Sequence, residues 1–136
     1  FNKKKINFID ESYNASPQSM KICIDYFKKI KTKKEQKKLL ILGDMKELGE
    51  NSLNYHIELL EYIVMKKLSN VIICGELLKI ALDKICNKNI LNMDDINSII
   101  EYAKKNLKNN DIVLIKGSNS SLTRNLALEL LKNRRL

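Results

Sequence analysis

The sequence predicts an α/β fold: a doubly wound, mainly parallel sheet of five or six strands with helices on both faces. Three observations lead there. Short apolar runs alternate repeatedly with longer stretches of helical periodicity, the pattern of successive strand–helix units. Two runs, Leu39–Leu42 and Val71–Cys74, are apolar at every position, as strands covered on both faces must be. Glycine or a polar cluster ends these runs, which marks the turn from strand into helix. Right-handed crossovers between parallel strands then wind the sheet both ways from its centre.

Each element has its own local reason. Lys5–Ile9 reads as the first strand. Pro17–Ile30 reads as a helix: Ser16 suits the N-cap and Pro17 the first position, where a missing N–H costs nothing. Met20, Ile24, Phe27 and Ile30 fall on one face of it. After Leu39–Leu42 and Gly43 comes a helix over Leu53–Leu68, with Leu53, Ile57, Leu60, Val64 and Leu68 in register. Val71–Cys74 ends at Gly75 and leads into a shorter helix, Glu76–Ile85, carrying Leu77, Leu78, Ala81 and Ile85. Asn89–Asn92 reads as a short fourth strand. Asp94 is read as the cap of a helix bearing Ile96, Ile99, Ile100, Ala103 and Leu107. Asp111–Ile115 is the next strand, and a last helix runs from about Ser121 to Lys132 with Leu122, Leu126 and Leu130 along one side.

The bulk numbers fit this picture. A chain of 136 residues is one domain, 1–136, with no repeat and no low-complexity linker. Its 44% hydrophobic and 30% charged residues are those of a globular protein, and no apolar run approaches a membrane span. No signal-peptide pattern opens the chain; its first residue is Phe1, so we expect a piece of a longer protein. Cys23, Cys74 and Cys86 lack metal-ligand spacing, and an odd count argues for reduced thiols in a cytoplasmic protein. Cys23 and Cys74 stand among apolar residues and read as core. The net charge of +9 raises the alternative of a basic nucleic-acid-binding α/β module. Seven of the eleven residues from Lys28 to Lys38 are lysine. The run has no interleaved aromatic and no arginine fork, so it reads as a solvated connection.

In a parallel sheet the carboxyl ends of all strands share one rim, where open α/β sheets place their ligands. Three chemically loaded segments follow strands and therefore meet there. They are Asp10–Ser16, Gly43–Glu50 and Lys116–Ser120. The first packs two carboxylates, a phenol, an amide and two hydroxyls into one strand-to-helix turn. The third sets a lysine beside Gly117 and Ser118 at a helix start, a setting that suits an anion. The lysine-rich run falls at the opposite rim. No phosphate-loop pattern and no His/Cys cluster is present, so the residues offer neither a triphosphate cradle nor a metal site of those kinds.

These segments resemble, in order and spacing, motifs of the bacterial Mur ligases that add D-alanyl-D-alanine. Asp10–Pro17 is similar to their D-D-x-Y-N-A-N-P turn, and Leu42–Glu50 (LGDMKELGE) to L-G-D-M-x-E-L-G, with His56 where a histidine commonly follows. Ile115–Ser120 (IKGSNS) resembles V-K-G-S-R-S. The match spans almost the whole chain. It implies the Rossmann-like C-terminal domain of an ATP-dependent amide-bond-forming ligase of peptidoglycan synthesis. The full enzyme would use ATP and magnesium, phosphorylate the carboxylate of UDP-N-acetylmuramoyl-tripeptide, and let D-alanyl-D-alanine displace the phosphate. The N-terminal and central ATPase domains, with the magnesium ligands, would lie outside this chain, and the fragment alone would be inactive. We expect a cytoplasmic monomer without membrane or nucleic-acid partners.

Site roles follow from the same resemblance. The acidic residue two positions before the tyrosine holds the ribose in the family; that is Glu11 here, with Asp10 as its substitute, and Tyr13 and Asn14 face the nucleotide. A carboxylate suits ribose hydroxyls because it only accepts hydrogen bonds. Asp10 and Glu11 could equally complement a helix dipole. Lys116, Ser118 and Asn119 would bind the incoming substrate; Asn119 stands where the family has arginine, and Thr123-Arg124 where it often has Met-Glu. Ser16 replaces the family's second asparagine. Asp44 and His56 are read as structural, His56 through a hydrogen bond to a neighbouring loop. A sister ligase, another Mur enzyme or a folylpolyglutamate synthase, is the other enzymatic alternative, and Y-N-A-x-P argues against it. A receiver-like regulatory domain would want an aspartate after the third strand, where Gly75-Glu76 stands.

Overall fold

The computed structural model describes residues 4–119 and 121–133. Five strands form one sheet: β1 (Asn7–Glu11), β2 (Lys38–Gly43), β3 (Val71–Cys74), β4 (Ile90–Asn92) and β5 (Ile112–Lys116). Their spatial order is β1-β5-β2-β3-β4, and every pairing is parallel. Four α-helices cross over between them, α1 (Pro17–Lys29), α2 (Ser52–Met65), α3 (Glu76–Ile85) and α4 (Ile96–Asn106), and α5 (Leu122–Asn133) follows β5. A single 3-10 turn, Gly49–Asn51, leads into α2. The predicted doubly wound sheet is thus present.

Period-two alternation along the buried strands divides the core into two layers. Leu40, Leu42, Ile73 and Leu114 face one way and pack on Met20, Ile24 and Phe27 of α1, Leu60 and Ile63 of α2, and Leu78 and Ala81 of α3. Leu39, Ile41, Ile72, Val113 and Ile115 face the other way, onto Ile99 and Ala103 of α4 and Leu126 and Leu130 of α5. Cys23 and Cys74 are buried in these layers, as expected of small core hydrophobes, whereas Cys86 is exposed. Among the described residues no helix is long and apolar enough to cross a membrane.

Local signals set most boundaries. Ser16 caps α1 by accepting from the Ser19 N–H, and the Ser19 hydroxyl accepts from the Ser16 N–H in return, with Pro17 at the first position. The predicted first strand is shifted. Pairing with β5 begins at Asn7 and runs on to Glu11, opposite Lys116. Strand pairing follows the backbone ladder of the neighbour, not hydrophobicity, and β1 is an edge strand that tolerates exposed polar residues. The cap of α4 is Asp95, not Asp94: its carboxylate accepts from the Ser98 N–H at 2.8 Å, the two-or-three-residue offset that N-capping needs. The buried face of α2 is also rotated from the predicted stripe. His56, Leu59, Leu60 and Ile63 are inside, while Val64 is exposed, because α2 lies between α1 and α3 and buries a broader flank.

Candidate functional site

The carboxyl ends of β1, β5, β2 and β3 stand side by side, with Glu11 opposite Lys116, Lys116 opposite Leu42, and Gly43 opposite Cys74. This brings the three loaded segments onto one rim. The tie between the first and third is direct. Lys116 is 5% exposed, and its Nζ donates to the Asn14 carbonyl at 2.7 Å, a contact between residues 102 apart in the chain. A buried ammonium needs such a partner.

The two acids of the first turn have different surroundings. Asp10 is engaged on both oxygens. One accepts from the N–H and the hydroxyl of buried Ser12, the other pairs with Arg124 Nη1 at 3.3 Å. Arg124 also lies over the Tyr13 ring, 5.9 Å from its centroid. Glu11 is exposed at the strand end, and Tyr13 is 70% exposed. Asn14 keeps its side chain outward while its carbonyl meets Lys116. Motif reading registers Arg124 only as a departure; the structure sets it against Asp10 and Tyr13.

The second segment is built inward. Asp44 is buried, and its carboxylate accepts from the Leu77 and Leu78 N–H groups at 3.1 and 3.0 Å, capping α3 from another loop. A Cβ on Gly75 would stand 2.2 Å from Asp44 Oδ1, so this carboxylate demands the glycine. His56 is fully buried. The Met45 N–H donates to its Nε2 at 3.0 Å, so Nδ1 carries the proton and donates to the Ser52 carbonyl at 2.6 Å. Asp44 Oδ1, at 3.9 Å from Nε2, faces the nitrogen that carries no proton and makes no hydrogen bond to it. Both residues are structural, as the sequence suggested.

The third segment is tightly packed. A Cβ on Gly117 would lie 2.1 Å from Thr123 Oγ1, and one on Gly43 2.7 Å from the same atom. Ser121 hydrogen-bonds Thr123 and donates to the Ser118 carbonyl at 2.6 Å. The Ser118 N–H donates to the Asp44 carbonyl at 3.2 Å, joining this loop to the second. The Ser118 hydroxyl is buried and has no partner among the described residues. Asn119 is exposed in the turn, and Ser120 lies outside the described residues. Near this rim the Cys23 thiol is pushed up to about 11, chiefly by burial, which Lys116 partly offsets. Cys74 rises to about 12 for the same main reason, with Asp44 adding to it. Neither thiol is a nucleophile near neutral pH.

A parallel α/β sheet with its polar turns gathered along the carboxyl rim defines the doubly wound class, whose members place their ligands at that rim. Residues 1–119 match the family described as Mur ligase, glutamate ligase domain, and the chain belongs to that family. Among its relatives is the UDP-N-acetylmuramoyl-tripeptide–D-alanyl-D-alanine ligase of Rickettsia prowazekii (strain Madrid E), 36% identical over 118 residues, which cover 81% of this chain and 24% of the relative. The ligase of that name from Bacillus subtilis (strain 168) is 27% identical over 132 residues, covering 94% of this chain and 28% of the relative. The structure of a MurF ligase from Thermotoga maritima in complex with ADP superposes with a TM-score of 0.73 at 32% identity, over 96% of this chain and 29% of the other. The chain thus spans about a quarter of the length of the curated relatives it matches.

Proposed function

We propose that these residues work as the C-terminal domain of an ATP-dependent ligase that joins D-alanyl-D-alanine to UDP-N-acetylmuramoyl-tripeptide in the cytoplasm. The observation that carries this reading is the Lys116–Asn14 tie, which holds two of the three family motifs together at the ligand-binding rim. The named relatives and the ADP-bound solved structure support the reaction class.

In this reading the rim residues take different parts. Asp10 is occupied by Ser12 and Arg124, so the ribose hydroxyls fall to outward Glu11. Tyr13 and Asn14 flank it on the nucleotide side. Lys116 spends at least one of its three donors on Asn14 and acts as a brace for the nucleotide turn. The carboxylate of the incoming dipeptide then falls to exposed Asn119, next to Ser118, whose own hydroxyl is buried beneath it. In this reaction the tripeptide carboxylate takes the γ-phosphoryl group of ATP and releases ADP. The dipeptide amine then attacks the acyl phosphate, phosphate leaves, and the amine gives up a proton. This chain's part is to bind and orient. Among the described residues no group of three His, Cys, Asp or Glu is placed to hold a metal ion.

The test is nucleotide and dipeptide dependence in the intact protein that carries these residues. Glu11→Ala should raise the KM for ATP about tenfold, the scale of one lost charged hydrogen bond to a ligand, with thermal stability unchanged. Wild-type KM in that variant removes the ribose role. Absence of D-alanyl-D-alanine-dependent ADP release in the wild-type protein removes the whole reading.

A further inference from the structure

The amino-terminal rim of the sheet is as strongly charged as the carboxyl rim is polar, and of the opposite sign. Its connections are residues 4–6, 30–37, 66–70, 86–89 and 107–111. They hold ten of the chain's 25 lysines and arginines but only two of its 16 acids, Glu35 and Asp111. Asp111 is fully buried and turned inward, accepting from the Lys37 and Lys108 N–H groups. The connections at the other rim carry Lys46 alone against Asp44, Glu47, Glu50, Asp94 and Asp95. A lysine-rich composition would scatter cations over both rims, so it does not account for this split.

Capping explains only part of it. Helices α1 to α4 point their carbonyl ends at this rim, which favours cations there. Lys38 donates to the Phe27, Lys28 and Ile30 carbonyls, Lys4 to those of Lys104 and Leu107, and Lys66 pairs with Asp25. Lys28, Lys29, Lys31, Lys33, Lys34, Lys37 and Lys67 are exposed around them. Lys28, Lys37, Lys38 and Lys67 also line a cavity of about 260 Å³ at this rim. Exposed apolar side chains stand beside the cations: Tyr26 in the last turn of α1, Val64 and Met65 in the last turn of α2, exposed by 54%, 42% and 64%.

We propose that this rim docks on an anionic lipid surface. Flexible lysines with neighbouring apolar tips match what an acidic bilayer offers, a diffuse negative potential over an apolar interior. Duplex nucleic acid would use the charge but leave Tyr26, Val64 and Met65 idle, and among the described residues this rim carries no arginine to read base edges. Docking here turns Glu11, Ser118 and Asn119 away from the membrane, so bound protein keeps its ligand rim in water. This contact departs from the expectation that the protein has no membrane partner.

The experiment is vesicle co-sedimentation of the intact protein. Mixed phosphatidylglycerol–phosphatidylcholine vesicles are compared with phosphatidylcholine alone, and duplex DNA with both. Binding to the anionic vesicles only is expected. It should vanish between about 0.1 M and 1 M salt, as the screening length falls from ~10 Å to ~3 Å. Changing Lys31, Lys33, Lys34 and Lys67 together to Gln should weaken it more than about a hundredfold, at about fivefold per lysine near the surface. These positions are exposed and distant from the ligand rim, so turnover should not change. Tyr26→Ser with Met65→Ser should weaken vesicle binding but not any residual DNA binding. Equal sedimentation with both vesicle types, an unaffected lysine variant, or tighter binding to DNA than to vesicles each overturns the proposal.

Discussion

The two rims of one sheet spend their charges in opposite ways. At the carboxyl rim the polar groups are turned inward and consume one another: Asp44 caps α3, His56 holds Met45, and Ser121 and Thr123 fill the space over Gly43 and Gly117. Glu11, Tyr13, Asn14 and Asn119 are left outward, as are Lys46, Glu47, Glu50, Asp94 and Asp95 in the neighbouring turns. At the amino rim a few lysines close helix ends and most point into solvent. The lesson is that a binding rim needs a rigid polar floor before its few ligand contacts can be held in place, whereas a charged face acting at a distance needs no such floor.

The sharpest way to break this comparison is to remove a floor residue. Asp44→Ala strips a buried and a part-buried N–H group at the start of α3 of their acceptor, and urea denaturation should show a loss of about 3 kcal/mol. A loss below about 1 kcal/mol would mean the floor is not rigid. Gly117→Ala comes next. Its new methyl meets Thr123 Oγ1, and overpacking of this kind costs about 2 kcal/mol. Adding Thr123→Ala should recover part of that, a coupling that a double-mutant cycle reads directly.

The amino rim should answer more weakly. Lys38→Met leaves the last carbonyls of α1 without their ammonium and should cost about 1 kcal/mol, against less than about 0.5 kcal/mol for Lys34→Met beside it. Burial, then the nearby Lys28, already holds the Lys38 ammonium below its usual range. On stability Glu11→Ala should be the quietest change at the carboxyl rim, within about 0.5 kcal/mol in thermal melts, since Glu11 is exposed there.

The thiols under the carboxyl rim add a pH test. Their folded values, about 11 for Cys23 and about 12 for Cys74, exceed the ordinary 9.0, so the folded state binds the proton more tightly. Below pH 9 both states keep it and stability is unaffected. Above pH 9 the unfolded chain releases it first, so stability falls as pH rises toward 11 to 12. Replacing both cysteines with alanine should flatten that alkaline limb. At pH 8 a thiol reagent should modify exposed Cys86 first.

The sequence by itself determined the order of strands and helices, because hydrophobic period and turn residues are local properties read within a few positions. It also determined which segments carry chemistry, since a parallel sheet sends every strand-to-helix turn to the same rim. Ser16-Pro17 announced α1 for the same local reason. Short-range offsets were less legible: Asp94 and Asp95 differ by one residue, and only the backbone geometry at Ser98 selects Asp95. The tertiary structure alone decided which acid is held and which is left free. Asp10 meets Arg124 across 114 residues, and Lys116 meets Asn14 across 102, because β5 inserts between β1 and β2. Contacts of that span leave no periodic trace in the chain; they exist only once the crossovers have set strands side by side.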